Sequence, residues 1–150
     1  MKTMFDPQVR AGLQHRVALL TQDKKARWGK MNVYQMTKHC NIWNEWVLGK
    51  GRYASHTYKQ GLLGKIFGRW ALTRDDKLID KNMPAGKAFL AKDKEGDIAA
   101  QQTLWIQFID AYEHFSNDRF VHDFFGRMSR EQIGIFAYKH FDHHLRQFGV

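Results

Sequence analysis

Residues 129–150 read SREQIGIFAYKHFDHHLRQFGV, and this stretch decides the fold because histidines occupy positions where apolar side chains are expected. As a helix that advances about 100° per residue, it gathers its apolar side chains on one face centred on Ala137. His144 lies about 20° from Ala137, and His140 lies about 60° away on the same side. Because an unsatisfied polar group in a core is costly, two imidazoles on a buried face require an explanation.

Three polar residues beside these histidines receive different interpretations. Gln147 follows His144 by one helical turn, and we expect its side chain to orient a ligand from behind the site. His143 is turned about 120° from Ala137, so we expect it either behind the site or towards solvent. Asp142 is expected on the opposite side of the helix.

The composition is typical of a packed, basic domain. A chain of 150 residues that is 43% hydrophobic and 14% aromatic predicts a single domain over residues 1–150. Its one cysteine, Cys40, excludes an intramolecular disulfide, fits a reducing compartment and is interpreted as a core residue. No signal-peptide core and no run of about 18 apolar residues is present, so we expect a cytoplasmic protein that does not enter a membrane.

The net charge of +9 raises the question of nucleic-acid binding. The basic residues are spread along the chain, with no zinc-finger or RNA-binding signature beside them. Solvated surface lysines are therefore the preferred interpretation. Nucleic-acid binding through the basic segment 50–74 is kept as a weaker alternative.

Helix-start signals predict three helices before residue 129. Asp6 before Pro7 starts the first, which should end near residue 20 or 21. Asn32 has capping-box spacing to a glutamine and starts the second, which should end at Gly49 and Gly51. The third should span residues 97–115. With segment 122–127 as a loop and no convincing strand, the pattern predicts an all-α four-helix bundle with a long crossover between its second and third helices.

The crossover itself, residues 51–96, is rich in glycine and lysine. Its apolar-basic stretch at 62–72, LLGKIFGRWAL, predicts a short amphipathic helix that packs as a flap over the mouth of the fold. Contact with a membrane surface is a weaker alternative. A connection of this length is usually functional or carries local structure of its own.

His39 adds a third imidazole on the second predicted helix. It lies about 60° from Met36, at the edge of the apolar stripe, as His140 does on the last helix. Two histidines four residues apart and one from a facing helix can hold an ion with open positions, as catalytic sites do. The alternative is that core hydrogen bonds satisfy these rings. Surface positions are expected for the remaining histidines, namely His15, His56, His114 and His122. A position of His122 near the site, reached through its loop, is a weaker alternative.

Three motifs in a fixed order resemble the DinB-like superfamily, and most closely a branch known only as a domain of unknown function. They are Trp28-Gly29, a helix start at 31–36 followed by His39-Cys40, and the terminal KHFDHHLRQFG at 139–149. The similarity covers essentially the whole chain, including HDFFGRMSREQ at 122–132.

The resemblance implies a four-helix bundle with a long crossover, often dimeric, whose metal would be held by His39, His140 and His144. Related members are metal-dependent transferases that use low-molecular-weight thiols, isomerases or hydrolases. We therefore expect a divalent zinc, nickel, iron or manganese ion that activates a thiol or water nucleophile, and a homodimer. The reaction and substrate stay unassigned, and a bundle that binds a metal or small molecule without catalysis stays an alternative.

Overall fold

The computed structural model describes residues 1–62, 78–82 and 89–150, and these are mostly helical. The predominance of helix expected from the sequence is therefore confirmed. The four α-helices of the described residues are α1 (Pro7–Ala18), α2 (Val33–Leu48), α3 (Ile98–Ala111) and α4 (Arg130–Gln147). Short 3-10 turns follow α2 at Gly51–Tyr53 and α3 at Tyr112–His114.

Each of these helices begins at a side-chain cap. Asn32 and Ser129 both accept a hydrogen bond from the backbone N–H three residues on, and the glutamine there accepts one from the cap's own N–H. Asp6 caps α1 and Asp97 caps α3 with a carboxylate oxygen. Because a cap stabilises a helix by about 0.5–2 kcal/mol, these residues fix the starts. The predicted starts are confirmed.

The predicted ends of two helices are too late. Helix α1 stops at Ala18 in a 3-10-like turn, in which the Leu20 amide donates to the Val17 carbonyl at 3.1 Å. The side-chain amide of Gln102 of α3 also donates to the carbonyls of Val17 and Leu20, at 2.8 and 2.9 Å. Those carbonyls thereby obtain partners without a further helical turn. Helix α3 stops at Ala111, where the chain tightens into a 3-10 turn, as helix ends commonly do.

The predicted loop at residues 122–127 contains strand structure. Strands β1 (Val121–His122) and β2 (Gly126–Arg127) pair antiparallel, with Val121 opposite Arg127. Gly126 has a φ of 74°, which lets the chain turn back into the pairing. Strands of two residues are too short to show an alternating pattern, so the expectation of no strand was wrong.

Phe141 of α4 joins three of the helices. Its ring lies 5.6 Å from that of Trp43 on α2 and 5.6 Å from that of Trp105 on α3, both in edge contact. All three rings are at most 4% exposed. Because aromatic pairs of this geometry add about 0.5–1.5 kcal/mol to the gain from burial, this junction holds α4 in a fixed rotation. His140 precedes Phe141 directly and is placed by the same junction.

Asp142 lies away from the apolar face of α4, yet it is buried. Its two carboxylate oxygens each accept a hydrogen bond at 2.8 Å, one from Arg16 of α1 and one from Arg146. Burial alone would raise the pKa of this carboxyl, but the hydrogen bonds to Arg146 and Arg16 lower it overall. The ion pair therefore ties α1 to α4 on the side opposite the core.

Two sequence-based predictions concern the crossover. The predicted flap at 62–72 lies outside the described residues except for Leu62, and so does most of the basic stretch 63–74. No described helix combines the length and apolar character that crossing a membrane requires.

Gly134 of α4 lies directly beneath the N-terminal segment, and the Met4 amide donates to its carbonyl at 3.1 Å. A Cβ at Gly134 would collide with Thr3 and with the ring of Phe5. We expect Gly134→Ala to lower the free energy of unfolding by about 1–3 kcal/mol, the usual cost of overpacking. Urea unfolding followed by circular dichroism measures it.

Gly12 provides the matched control, because it lies in α1 and a Cβ added there would meet no atom within 4 Å. Gly12→Ala should raise stability by about 0.5–1 kcal/mol through helix propensity alone. Equal effects of the two substitutions would contradict the packing of the N-terminal segment on α4.

Candidate metal centre

His39 of α2 and His140 and His144 of α4 come together between the two helices. One ring nitrogen of each lies within 4.8 Å of those of the other two. The Nε2 atoms of His39 and His140 are 3.2 Å apart. The ring centroid of His144 lies 5.0 Å from that of His39 and 4.8 Å from that of His140, and the ring is in edge contact with both. Three nitrogens this close could hold a metal ion.

The tautomer of His39 is set by a backbone carbonyl. Its Nδ1 lies 2.8 Å from the oxygen of Phe89, and a carbonyl can only accept a hydrogen bond. Nδ1 therefore carries the proton, and Nε2 presents a lone pair towards His140. That is the form in which a neutral imidazole binds a metal.

The tautomer of His144 is set by a chain of two hydrogen bonds. The side-chain amide of Gln147 donates to the carbonyl of Trp28 at 2.7 Å, so its oxygen faces His144. His144 Nδ1 donates to that oxygen at 2.9 Å, which leaves its Nε2 unprotonated. Gly29 permits this approach, because its φ is 81° and a Cβ there would lie 2.6 Å from Gln147 Nε2.

His140 has no equivalent anchor. Its ring lies against Trp43, with centroids 4.4 Å apart, and its buried Nδ1 has no hydrogen-bond partner among the described residues. If Nδ1 carries the proton, the Nε2 lone pairs of His140 and His39 face each other. If Nε2 carries it, Nδ1 is an unpaired buried acceptor, at a cost of about 1–3 kcal/mol.

Neither tautomer of His140 thus satisfies the cluster by hydrogen bonds alone. A cation between facing Nε2 lone pairs would remove the repulsion between them. The three nitrogens could hold a metal ion, and hydrogen bonds within the described residues leave His140 Nδ1 without a partner.

Burial lowers the pKa of all three histidines. That of His144 falls to about 3, and that of His140 falls well below its usual value, with the neighbouring histidines adding to the effect of burial. For His39 the hydrogen bond to Phe89 opposes the shift without reversing it. The three rings are therefore neutral at pH 7, as metal ligands must be.

His143 lies behind this cluster, and the alternative of a solvent-facing side chain was wrong. It is 7% exposed, its Nδ1 lies 3.3 Å from the carbonyl of Ile79, and its ring meets Trp28 edge-on at 5.6 Å. Lys81 in turn lies over the Trp28 ring. The expectation failed because residues of the crossover, distant in sequence, cover this side of α4.

His122 is buried as well, so the surface position expected for it was wrong. The β1–β2 hairpin turns its ring inward, and its Nδ1 accepts from the amides of Phe124 and Phe125 at 3.1 and 3.3 Å. It packs against Phe136, which separates it from His140. It is not one of the three clustered histidines. The remaining expectations hold, because His15, His56 and His114 are exposed and Cys40 is fully buried.

Sequence reasoning predicted Gln147 beside His144 but missed the backbone anchors of the site. The partners of His39, His143 and Gln147 are the backbone carbonyls of Phe89, Ile79 and Trp28. A carbonyl is present at every residue, so no residue type marks it. The only signal was Trp28-Gly29, which the resemblance used as a motif without a physical role.

The fold and the site together define a mostly helical protein with a three-histidine cluster between α2 and α4. Residues 9–149 match a family model described as "Protein of unknown function (DUF1569)", and the chain belongs to that family. No curated protein matches the chain, and no solved structure does. The expected domain of unknown function is thereby confirmed.

The buried histidines predict a loss of stability in acid for the metal-free protein. Since the pKa of His144 falls from about 6.5 in the unfolded chain to about 3 on folding, the unfolded chain binds the proton first as the pH falls. The contribution of neutral His144 to the free energy of unfolding is fully present above pH ~6.5 and declines from there towards pH ~3. His144 alone should remove about 2 kcal/mol between pH 6.5 and 5.

Chelator-treated protein unfolded in urea at several pH values measures this dependence. His144→Gln removes one titrating ring and should give a shallower slope of stability against pH. His15→Gln, at an exposed position on α1, should keep the wild-type slope. Identical slopes for all three proteins would contradict the buried neutral state of His144.

Proposed function

We propose that the protein is a metal-dependent enzyme in which a divalent ion held by His39, His140 and His144 activates a thiol or water nucleophile. The observation that carries this proposal is the convergence of three imidazole nitrogens within 4.8 Å, from two helices. Two of the rings have their outer nitrogen engaged, so that Nε2 is left as the inward lone pair.

The donor set favours a catalytic ion over a structural one. Structural zinc sites are usually closed by four protein ligands, whereas three histidines leave positions open for water or substrate. Zinc, nickel, iron and manganese all accept imidazole ligands, so the donors do not select among them. When bound, such an ion supplies Lewis acidity and lowers the pKa of a nucleophile that joins it.

The chain's own residues prepare the ligands. Gln147 holds His144 in one tautomer and one orientation, and the Trp28 carbonyl holds Gln147 in turn. The Phe89 carbonyl does the same for His39. Partners of this kind raise the basicity of a ligand and fix its direction. Trp43 and Phe136 form an aromatic wall on the remaining side of His140.

We also propose that the protein belongs to the DinB-like superfamily, with the positions of the three histidines as support. One ligand from the second helix, two from the last and a long connection between the second and third helices are what the sequence resemblance implied. A four-helix bundle, a homodimer and a cytoplasmic location belong to the same proposal. A low-molecular-weight thiol is the substrate class that it favours.

Metal analysis of the purified protein tests the site. We expect one divalent ion per chain in the wild type and a loss of most of it in His39→Ala, His140→Ala and His144→Ala. His122→Ala is the matched control, because this buried histidine lies outside the cluster and its replacement should leave the ion in place. Circular dichroism confirms that each variant is folded. Unchanged metal content in all three cluster variants would refute the site.

Gln147 provides a graded test. We expect Gln147→Ala to weaken metal binding about 10–100-fold, because His144 loses the partner that orients it. Gln132→Ala at the start of α4 is the control: it removes the capping-box partner of Ser129 and should lower stability without changing metal affinity. Competition with a chromogenic chelator measures the metal affinity of both variants. Equal metal affinities of the two variants would contradict the role of Gln147.

Turnover separates catalysis from simple binding. The metal-loaded protein should accelerate thiol transfer to an electrophile, or hydrolysis, in a panel of such substrates. His140→Ala should abolish the acceleration. Saturation with metal and no turnover across both panels would instead favour the non-catalytic binding bundle.

A further inference from the structure

A cleft of about 400 Å³ lies between the connection from α1 to α2 and the segment that leads into α3. This volume is in the range of small-molecule sites. Gly29 lines the cleft, and Gln147 of the histidine site packs behind that glycine. None of the three clustered histidines lines it. The cleft is therefore a separate feature beside the candidate metal centre.

The lining of the cleft is strongly basic. Lys24, Lys25, Lys30 and Lys94 all contribute to it, against a single acidic residue, Glu95. None of the four lysines forms a close ion pair with another residue in the part of the chain that the structure describes, although the charge of Asp23 acts on Lys24 and Lys25. Like charges held around a concave surface create a positive potential that attracts anions.

The start of α2 adds backbone donors to this charge. The amides of Asn32 and Gln35 are taken up by the capping box, but those of Val33 and Tyr34 have no partner among the described residues. Val33 and Tyr34 both line the cleft, and so does Ile98 at the start of α3. The start of α2 therefore directs two free amides and its positive end towards the cleft, as in anion-binding sites of many proteins.

The walls of the cleft are held together by contacts of their own. The side-chain amide of Asn32 donates to the Lys94 carbonyl at 2.7 Å, which joins the start of α2 to the segment before α3. The Tyr34 ring lies on Gly96 so closely that any Cβ there would collide with it. The cleft is thus built before a ligand arrives, which lowers the entropic cost of binding.

We propose that this cleft binds a small molecule that carries a phosphate or diphosphate group. Lysine ammonium groups and free amides at a helix start are common phosphate ligands. A concave site with lysines on several sides suits a compact polyanion. A nucleic-acid surface would instead present its basic residues along an extended stripe. The proposal is independent of the metal and of the reaction at the histidines.

Isothermal titration of the full chain with inorganic pyrophosphate tests this proposal. We expect saturable binding of one pyrophosphate per chain in 50 mM salt and at least a tenfold loss of affinity in Lys30→Gln/Lys94→Gln. The matched control is Lys50→Gln/Lys59→Gln, which removes the same charge beyond the opposite end of α2 and should change the affinity less than twofold. Pyrophosphate also binds divalent ions, so the protein is first treated with chelator.

Four outcomes would overturn the proposal. The first is an absence of pyrophosphate binding at millimolar concentration in low salt. The second is an equal loss of affinity in the two double variants, which would mean unspecific attraction by net charge. The third is a loss of binding in His140→Ala, which would assign the anion to the histidine cluster. A single-stranded oligonucleotide that binds more tightly than pyrophosphate, and equally to both double variants, would also overturn it by favouring an extended basic surface.

Discussion

The close approach of His39 and His140 is the constraint on which the rest of the structure depends. Two imidazole Nε2 atoms lie 3.2 Å apart at a helix interface, with the Nε2 of His144 unprotonated beside them. Burial keeps all three rings neutral, and neutral rings in a core need partners for their outer nitrogens. Two rings find such partners and His140 does not. The cluster is therefore polar, buried and incompletely satisfied, which is expensive unless it binds something.

The partners come from chain segments that the helices alone would not bring together. The turn at Trp28 precedes α2, and Ile79 and Phe89 belong to the crossover that follows it. Each supplies one carbonyl to the histidines or to Gln147. The connections are thus part of the site, although none of their described residues contributes a side chain to the cluster itself. The same hydrogen bonds that orient the histidine rings and Gln147 also hold these connecting segments against the helices.

Helical periodicity predicted which side chains point towards the core, because that depends only on their angle around the helix axis. The angles around α4 placed His140 and His144 on the core side, and the same reasoning on the second helix brought in His39. Periodicity could not predict which loops would cover His143, because coverage by the crossover depends on contacts between residues far apart in sequence. It also could not turn His122 inward, since the hairpin responsible has only two residues in each strand. The lysines of the cleft appeared in the sequence only as part of a diffuse net charge, because the fold alone brings them to one concave surface.

The junction at Phe141 has a consequence for the kinds of change that α4 can tolerate. One residue of this helix, Phe141, locks into α2 and α3, and its neighbour His140 belongs to the cluster. An insertion or deletion of a single residue rotates everything beyond it by about 100°. Between Phe141 and His144 it would separate the ligands from each other, and before His140 it would turn both away from His39. The helix can therefore vary by substitution, whereas a change in its length would dismantle the core and the cluster in the same event.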